Sequence, residues 1–172
     1  MLHTRLIHSP HVPTWISLRR LPRLSDRSAI RRMVKATGMF AAREVDIALE
    51  LVDDALEKGT HSDYRFLFAD RGHRLAGYAC FGHIGCTESA FDLHWIVVHP
   101  HEQGRGLGRL LLGRTEALVR ISGGTRLFIE TSGRDEAAAT LAFYRRCGYR
   151  PVSVIDDFYA PGDPRIIFAK DL

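Results

Sequence analysis

Three glycines at alternate positions constrain this chain more than any other feature of its sequence. They are Gly104, Gly106 and Gly108, and they lie between a strand-like run and a helix-like run that begins near Leu107. Glycines at the start of a helix let backbone N–H groups approach an anionic ligand, which the positive end of the helix dipole also favours. Arg105 and Arg109 add positive charge nearby. The segment therefore predicts a site for a phosphate-bearing cofactor.

The spacing of this turn does not match two other phosphate-binding loops. A Walker loop carries Lys followed by Ser or Thr after its last glycine, and Arg109 and Leu110 stand there in this chain. A dinucleotide fingerprint has two residues between its last two glycines, whereas Leu107 alone separates Gly106 from Gly108. The other interpretation is that the glycines only allow a helix and a strand to pack closely.

The spacing of apolar residues predicts the order of the secondary structure elements. A first strand is expected at Ile16–Leu21, followed by a helix capped by Ser25 and a second helix that ends at Gly59. The second helix has an apolar stripe made of Val45, Ala48, Leu49 and Val52. The complete predicted order is β-α-α-β-β-β-α-β-α-β-β. This order predicts an α/β fold in which helices cover both faces of one mixed sheet.

The helix that follows the glycine-rich turn is predicted to have one buried and one exposed face. Its inward residues are Leu107, Leu110, Leu111 and Leu118, and its outward residues are Arg109, Gly113, Glu116 and Arg120. We therefore expect Glu116 to lie in solvent.

The composition is that of one ordinary globular domain. The chain has 172 residues, of which 45% are hydrophobic and 26% charged, so it can bury a core without disulfides or metal ions. Residues 1–14 contain no continuous apolar run of the kind found in a secretory signal. We predict that residues 1–14 are a flexible tail and that residues 15–172 form the domain.

Charge, hydropathy and cysteine content limit the partners and the location of the chain. The formal net charge of +4 comes with arginines spread along the sequence, so no nucleic-acid partner is expected. No stretch approaches the ~20 apolar residues that a membrane span requires, so no membrane association is expected. The three cysteines are odd in number and fall in separate predicted elements. They do not indicate a disulfide framework, and a cytoplasmic location is expected.

Two segments resemble the signatures of one enzyme superfamily. Gln103–Gly108 is similar to the Q/R-x-x-G-x-G/A signature of the GNAT superfamily of acetyl-CoA-dependent N-acetyltransferases. Phe143–Tyr149 is similar to the F/L-Y-x-x-x-G-F/Y segment of the same superfamily. Together with the element order, the resemblance covers about residues 16–170.

The resemblance implies a fold, a cofactor and a reaction. The fold is a single mixed, mostly antiparallel sheet whose two central strands splay apart. The pantetheine of acetyl-CoA would insert between these strands, against the backbone of Ile96, Val97 and Val98. The pyrophosphate would be held by the turn and the start of the helix, that is by Gln103, Gly104, Arg105, Gly106, Leu107, Gly108 and Arg109. The acetyl group would pass to a primary amine by direct attack in a ternary complex.

Acetyl transfer to an amine requires a neutral amine, a polarised thioester and a proton for the departing thiolate. Tyr144 resembles the tyrosine general acid of the superfamily, and a phenol with a reference pKa of ~10 stays protonated at neutral pH. Its alternative role is that of a core aromatic residue. For the base, Glu130 resembles the strand glutamate of ribosomal-protein alanine acetyltransferases, and Asp92 and His94 resemble base positions in other branches. The expected ranking is Glu130, then Asp92, then His94, and a buried polar contact is the alternative role of Glu130 and His94.

Strict alternation along the strand before the glycine-rich turn predicts which side chains share a face. One face is expected to carry Phe91, Leu93, Trp95 and Val97, and the other Asp92, His94, Ile96 and Val98. Asp92 and His94 are therefore expected on the same face of a central strand.

The acceptor site is expected near the last hairpin. Relatives line it with the equivalent of the turn Ala160–Asp163, which in this chain follows Asp156, Asp157, Phe158 and Tyr159. These acidic and aromatic groups are expected to face a cationic amine, and a solvated hairpin is the alternative. The acceptor is expected to be a small amine, an amino acid or a protein or peptide amine, and the sequence does not decide among them. The sequence also leaves open whether the protein forms a homodimer. The loop Ser132–Glu136 lacks the asparagine that contacts the cofactor in many relatives.

Two other functions are alternatives to acetyl transfer. Cys80, His83 and Cys86, with His94 as a fourth ligand, do not have the usual spacing of a zinc ribbon, so no metal site is expected. A non-catalytic sensor or assembly module that binds acyl-CoA would keep the glycine-rich turn but would need no acid or base. Tyr144 and Glu130 favour the enzyme.

Overall fold

A computed structural model of the protein describes residues 15–172. The expected tail, residues 1–14, lies outside the described residues, and the boundary at residue 15 stays a prediction. No helix in the described range is long and apolar enough to span a membrane.

The order of strands and helices predicted from the sequence is confirmed. The strands are β1 (Ser17–Arg19), β2 (Arg65–Arg71), β3 (Arg74–His83), β4 (Ala90–Val98), β5 (Arg126–Ser132), β6 (Arg150–Ala160) and β7 (Asp163–Asp171). The helices are α1 (Leu24–Thr37), α2 (Ala42–Lys58), α3 (Leu107–Ile121) and α4 (Ala138–Arg146). Short 3-10 turns precede α3 at Pro100–Glu102 and α4 at Asp135–Ala137.

The seven strands found in residues 15–172 form one sheet in the order β1-β2-β3-β4-β5-β7-β6. Within this sheet β4 and β5 are parallel, and the other neighbours are antiparallel. The predicted mixed, mostly antiparallel sheet is therefore confirmed. One apolar core lies between the sheet and α3 and α4, and a second lies between the opposite face and α1 and α2. Helices thus cover both faces, as the element order predicted.

The first turn of α1 differs from the prediction. The helix begins at Leu24, so Ser25 lies inside the first turn and does not cap it. Asp26 caps the helix instead, because its carboxylate accepts the backbone N–H of Arg23 at 2.7 Å. The same carboxylate accepts two hydrogen bonds from Arg19, at 2.6 and 2.7 Å, which keep it in place.

The face of α3 also differs from the prediction at one residue. Glu116 was expected in solvent but is buried, with 7% of its surface exposed. Its carboxylate accepts hydrogen bonds from Lys170 at 2.8 and 2.9 Å and from the hydroxyl of Tyr149 at 3.1 Å. Helical spacing does not reveal partners that lie more than thirty residues away in the chain, and these partners are what permit the burial of the charge.

Candidate active site

A β-bulge interrupts β4 in the middle of the sheet. In the register with β3, Cys80 pairs with Trp95 and Phe81 pairs with Leu93, so His94 is the extra residue. An inserted residue reverses the alternation of side chains beyond it. Phe91 and Leu93 therefore share a core with Ile96 and Val98, whereas Trp95 and Val97 lie in the other core. The predicted faces of β4 are thus wrong after the bulge.

β4 and β5 separate at the bulge. They are paired only from Ala90 to Leu93 on β4 and from Arg126 to Ile129 on β5. Beyond these residues, the edges of β4 and β5 that face each other form no ladder hydrogen bonds with each other. Backbone amides and carbonyls inside a sheet need hydrogen-bond partners, and an extended ligand with amide groups can supply them. The opening thus fits a chain such as pantetheine beside Ile96, Val97 and Val98.

The glycine-rich turn lies at the end of β4 that borders this opening. Gly104 and Gly106 have φ values of 73° and 82°, a left-handed conformation that favours glycine. A Cβ atom at Gly106 would meet no atom of the protein within 4 Å, so packing does not explain this glycine. A Cβ at Gly108 would lie 3.5 Å from the Phe143 ring, which is an ordinary contact distance. Close packing therefore requires glycine at none of the three positions.

The N-terminus of α3 has the properties of an anion site. Gly106 is its N-cap and offers no side chain to cap it. The first backbone N–H groups of a helix, here those of Leu107, Gly108 and Arg109, have no acceptor within the helix. The turn is held to the strand by Gln103, whose side-chain amide donates to the carbonyl of Val98 at 3.0 Å. An oxyanion at this position would accept from the open amides and meet the positive end of the dipole.

Two carboxylates lie on one face of the sheet near the point where β4 and β5 diverge. Asp92 is level with Phe128 of β5, and Glu130 is two residues further along the same face. Burial raises the pKa of Asp92, the Glu130 carboxylate raises it further, and Arg165 opposes both. Glu130 is bonded to the guanidinium of Arg165 from β7. The structure thus brings two of the predicted base candidates together.

His94, the third base candidate, occupies the bulge itself. Its ring meets Tyr64 edge to face, with the ring centroids 5.4 Å apart. Burial of the ring lowers its pKa from the ordinary 6.5, and the nearby Glu130 carboxylate partly opposes this. His94 is therefore close enough to Glu130 for the two charges to interact.

Tyr144 lies on the opposite face of the sheet, in the core beneath α3 and α4. Its ring centroid is 5.4 Å from Phe143, 5.7 Å from Phe168 and 6.2 Å from Tyr149. Burial raises the pKa of its phenol far above the ordinary value, so the hydroxyl keeps its proton at neutral pH. The candidate acid and the candidate bases thus occupy opposite faces of the sheet.

One residue near the carboxylates, Arg165, was not predicted from the sequence, whereas Tyr159 was expected near the acceptor site. Arg165 pairs with Glu130, and its guanidinium also lies 4.8 Å from the centre of the Phe158 ring. Tyr159 lies in the same electrostatic environment, because burial and then Glu130 raise the pKa of its phenol. Arg165 had a signal in the sequence, because opposite charges on neighbouring strands often pair.

The acidic residues before the last turn do not all face an acceptor. The carboxylate of Asp157 accepts the backbone N–H of Gly162 at 2.7 Å and so stabilises its own turn. Asp156, Phe158 and Tyr159 are exposed along β6. The loop Ser132–Glu136, which lacks the asparagine, is held by a hydrogen bond to the segment between α1 and α2. In this bond Arg134 donates to the carbonyl of Met39 at 2.7 Å.

The two cysteines that were considered as metal ligands lie in different environments. Cys80 is buried in a strand and Cys86 is exposed in a turn. Among residues 15–172, no group of three or more His, Cys, Asp or Glu side chains is arranged to hold a metal ion.

The sequence is similar to known acetyltransferases. Residues 62–151, just over half of the chain, match the family described as acetyltransferase (GNAT) domain. The N-alpha-acetyltransferase RimI of Mycobacterium tuberculosis is 34% identical over 95 residues, which are 55% of this chain and 57% of that protein. The chain thus spans little more than half of the length of RimI and less than half of the length of two other curated relatives that it matches.

Solved structures share the whole architecture. A GNAT-family protein from Desulfovibrio desulfuricans is 43% identical, with a TM-score of 0.88 over 91% of this chain and 98% of that one. YncA from Salmonella typhimurium, solved with its cofactor acetyl-CoA, is 19% identical, with a TM-score of 0.69 over 92% of this chain and 94% of that one. The second likeness concerns the fold alone. With the family match, the identity to the Desulfovibrio protein and the sheet that opens beside a glycine-rich helix start, the chain belongs to the GNAT acetyltransferase family.

Proposed function

We propose that the protein is an N-acetyltransferase that moves the acetyl group of acetyl-CoA to a primary amine. The observation that carries this proposal is the separation of β4 from β5 beside the open N-terminus of α3. A tyrosine and two carboxylates on opposite sides of that opening favour an enzyme over an acyl-CoA sensor. The similarity to an N-alpha-acetyltransferase supports the amine as acceptor, and the fold shared with a protein that binds acetyl-CoA supports the donor.

The proposed cofactor site has two parts. Pantetheine lies in the opening and exchanges hydrogen bonds with the backbone of β4, at Ile96, Val97 and Val98, as an added strand would. The pyrophosphate lies on the turn and the first turn of α3, which comprise Gln103, Gly104, Arg105, Gly106, Leu107, Gly108 and Arg109. The side chain of Arg109 and the amides at the helix start would compensate its charge.

The proposed reaction is a direct attack in a ternary complex. Glu130 accepts a proton from the ammonium form of the acceptor, directly or through water, and the amine nitrogen then attacks the thioester carbonyl carbon. The new C–N bond forms, the C–S bond breaks, and the electron pair leaves with sulfur. Tyr144 donates its proton to the departing thiolate, and the second proton that the nitrogen loses as the amide forms restores the phenol. Asp92 is the second candidate for the base, and its raised pKa makes it a stronger base than an exposed aspartate.

The acceptor binds on the face that carries Asp92 and Glu130. An amine is cationic before it reacts, so two carboxylates at the opening favour its approach. The aromatic residues Phe158 and Tyr159, at the end of β6, are placed to contact the group that carries the amine. A protein or peptide α-amine is the first candidate because of the mycobacterial relative, and a small amine is the second.

A panel of amines tests the proposal. The protein is mixed with acetyl-CoA and with peptides that have free N-termini, N-terminally blocked peptides that carry lysine, free amino acids and small polyamines. We expect one class of acceptor to gain one acetyl group, as measured by mass. An equal amount of free CoA thiol should be released from acetyl-CoA. Retention of acetyl-CoA without any acetylated product across the panel would favour the sensor.

A further inference from the structure

A cleft lies between α1, the turn that joins β2 to β3 and the segment that follows β4. Its volume is about 610 Å³, a size typical of pockets for small molecules. One wall is a face of α1, which contributes Ser25 and Arg32. The other walls are the turn between β2 and β3, with Arg71 and Arg74, and the segment after β4, with His99 and Glu102. No residue of the candidate acetyl-CoA site lines this cleft.

The cleft is lined by five arginines, three histidines and three carboxylates. The carboxylates are already paired with arginines of the same cleft. Arg19 contacts Asp26 at 2.6 Å and Asp70 at 2.8 Å, and Arg71 contacts Glu102 at 3.0 Å. These pairs hold α1, β1 and the hairpin of β2 and β3 together, and they leave an excess of positive charge.

Two of the arginines, Arg32 and Arg74, are not used in this way. Within residues 15–172, neither forms an ion pair or a side-chain hydrogen bond. Both are exposed and come from different walls of the cleft, Arg32 from α1 and Arg74 from the start of β3. Two guanidinium groups on different walls, in a concave surface, attract an anion. Their planar donor geometry suits phosphate and carboxylate oxygens.

We propose that this cleft binds a small ligand with a phosphate or carboxylate group, held by Arg32 and Arg74, at a site separate from that of acetyl-CoA. The lining carboxylates Asp26, Asp70 and Glu102 disfavour a long polyanion such as a nucleic acid, because further phosphates would lie close to them. Glu102 also connects the cleft to the glycine-rich turn, since its carboxylate is 3.8 Å from Arg105.

The test uses the full chain saturated with CoA, so that the cofactor site is filled. Inorganic phosphate and citrate are titrated separately by calorimetry, and the two probes distinguish a phosphate ligand from a carboxylate ligand. We expect at least one probe to bind, with an affinity that falls about five- to tenfold in Arg32→Ala and in Arg74→Ala. Lys35→Ala removes an exposed cation from the same helix without touching the cleft and should leave the affinity unchanged.

Three results would overturn the proposal. The first is that neither probe binds to the CoA-saturated protein. The second is that both arginine variants, shown by circular dichroism to be folded, bind the probe as the parent does. The third is that a single-stranded oligonucleotide binds more tightly than either probe and loses its affinity in the same variants, which would assign the cleft to a polyanion.

Discussion

The hydroxyl of Tyr144 is proposed to act as the general acid, and its ring packs in the core. In Tyr144→Phe the ring stays, so we expect acetyl-CoA to bind with nearly unchanged affinity while kcat falls by ~10²-fold or more, the usual contribution of a positioned acid. Steady-state kinetics and calorimetry measure the two effects. Tyr149→Phe is the matched control, because it removes a buried hydroxyl that donates to Glu116. It should lower stability by about 1 kcal/mol and leave kcat intact. Full kcat in Tyr144→Phe, with chemistry rate-limiting, would leave Tyr144 a packing role only.

Glu130 is the first candidate for the base, and its loss should be visible in the pH dependence of the rate. Glu130→Gln should lower kcat/KM most near neutral pH, where the acceptor is an ammonium ion. Raising the pH supplies neutral amine without a base, so the rate should partly recover in alkali. An unchanged pH profile in Glu130→Gln, together with a flattened acidic limb in Asp92→Asn or His94→Gln, would move the assignment to β4.

Asp92 is kept in a position that is unfavourable for stability. Its folded pKa is raised from the ordinary 3.8, chiefly by burial, so the unfolded chain ionises first as the pH rises. The native state therefore loses stability between the unfolded and folded pKa values and does not regain it at higher pH. Asp92→Asn should raise the free energy of unfolding at pH 7 and have a smaller effect at pH 3. Denaturant titrations at both pH values measure this, with Asp156→Asn, an exposed carboxylate, as the control. Destabilisation at pH 7 would contradict the account.

The start of α3 is the element that we expect to hold the pyrophosphate. A branched side chain at Gly106 would enter the space of the anion, so Gly106→Val should abolish acetyl-CoA binding, measured by calorimetry. Gly123→Val is a matched control at the other end of the same helix, because Gly123 has the same φ of 82° and equally open surroundings. Both variants carry similar backbone strain. Loss of binding in both, or in neither, would remove the turn from the site.

Elements that follow from local patterns were predicted from the sequence, and features that depend on distant partners were not. The apolar stripe of α2 and the glycine-rich turn before α3 depend on neighbours a few residues away, and both were recognised. The bulge at His94 depends on the register between β3 and β4, which alternation along one strand does not contain. Glu116 was placed in solvent because Lys170, which makes its burial possible, belongs to the last strand.

Across the whole molecule, the proposed catalytic groups are distributed over both faces of one sheet. Tyr144 lies in the core under α3 and α4, and Asp92 and Glu130 lie on the side of α1 and α2. A closed sheet would keep the acid and the base apart. We propose that the divergence of β4 and β5 forms a passage between the faces, in which donor and acceptor meet.

A crystal structure of the protein with acetyl-CoA is the most direct measurement of whether this passage is the active site. We expect pantetheine to lie between β4 and β5 and to hydrogen-bond the backbone of Ile96, Val97 and Val98. The pyrophosphate should accept from the amides at the start of α3, and the thioester should end between Tyr144 and Glu130. A cofactor bound outside the opening, or a thioester remote from both residues, would contradict the account.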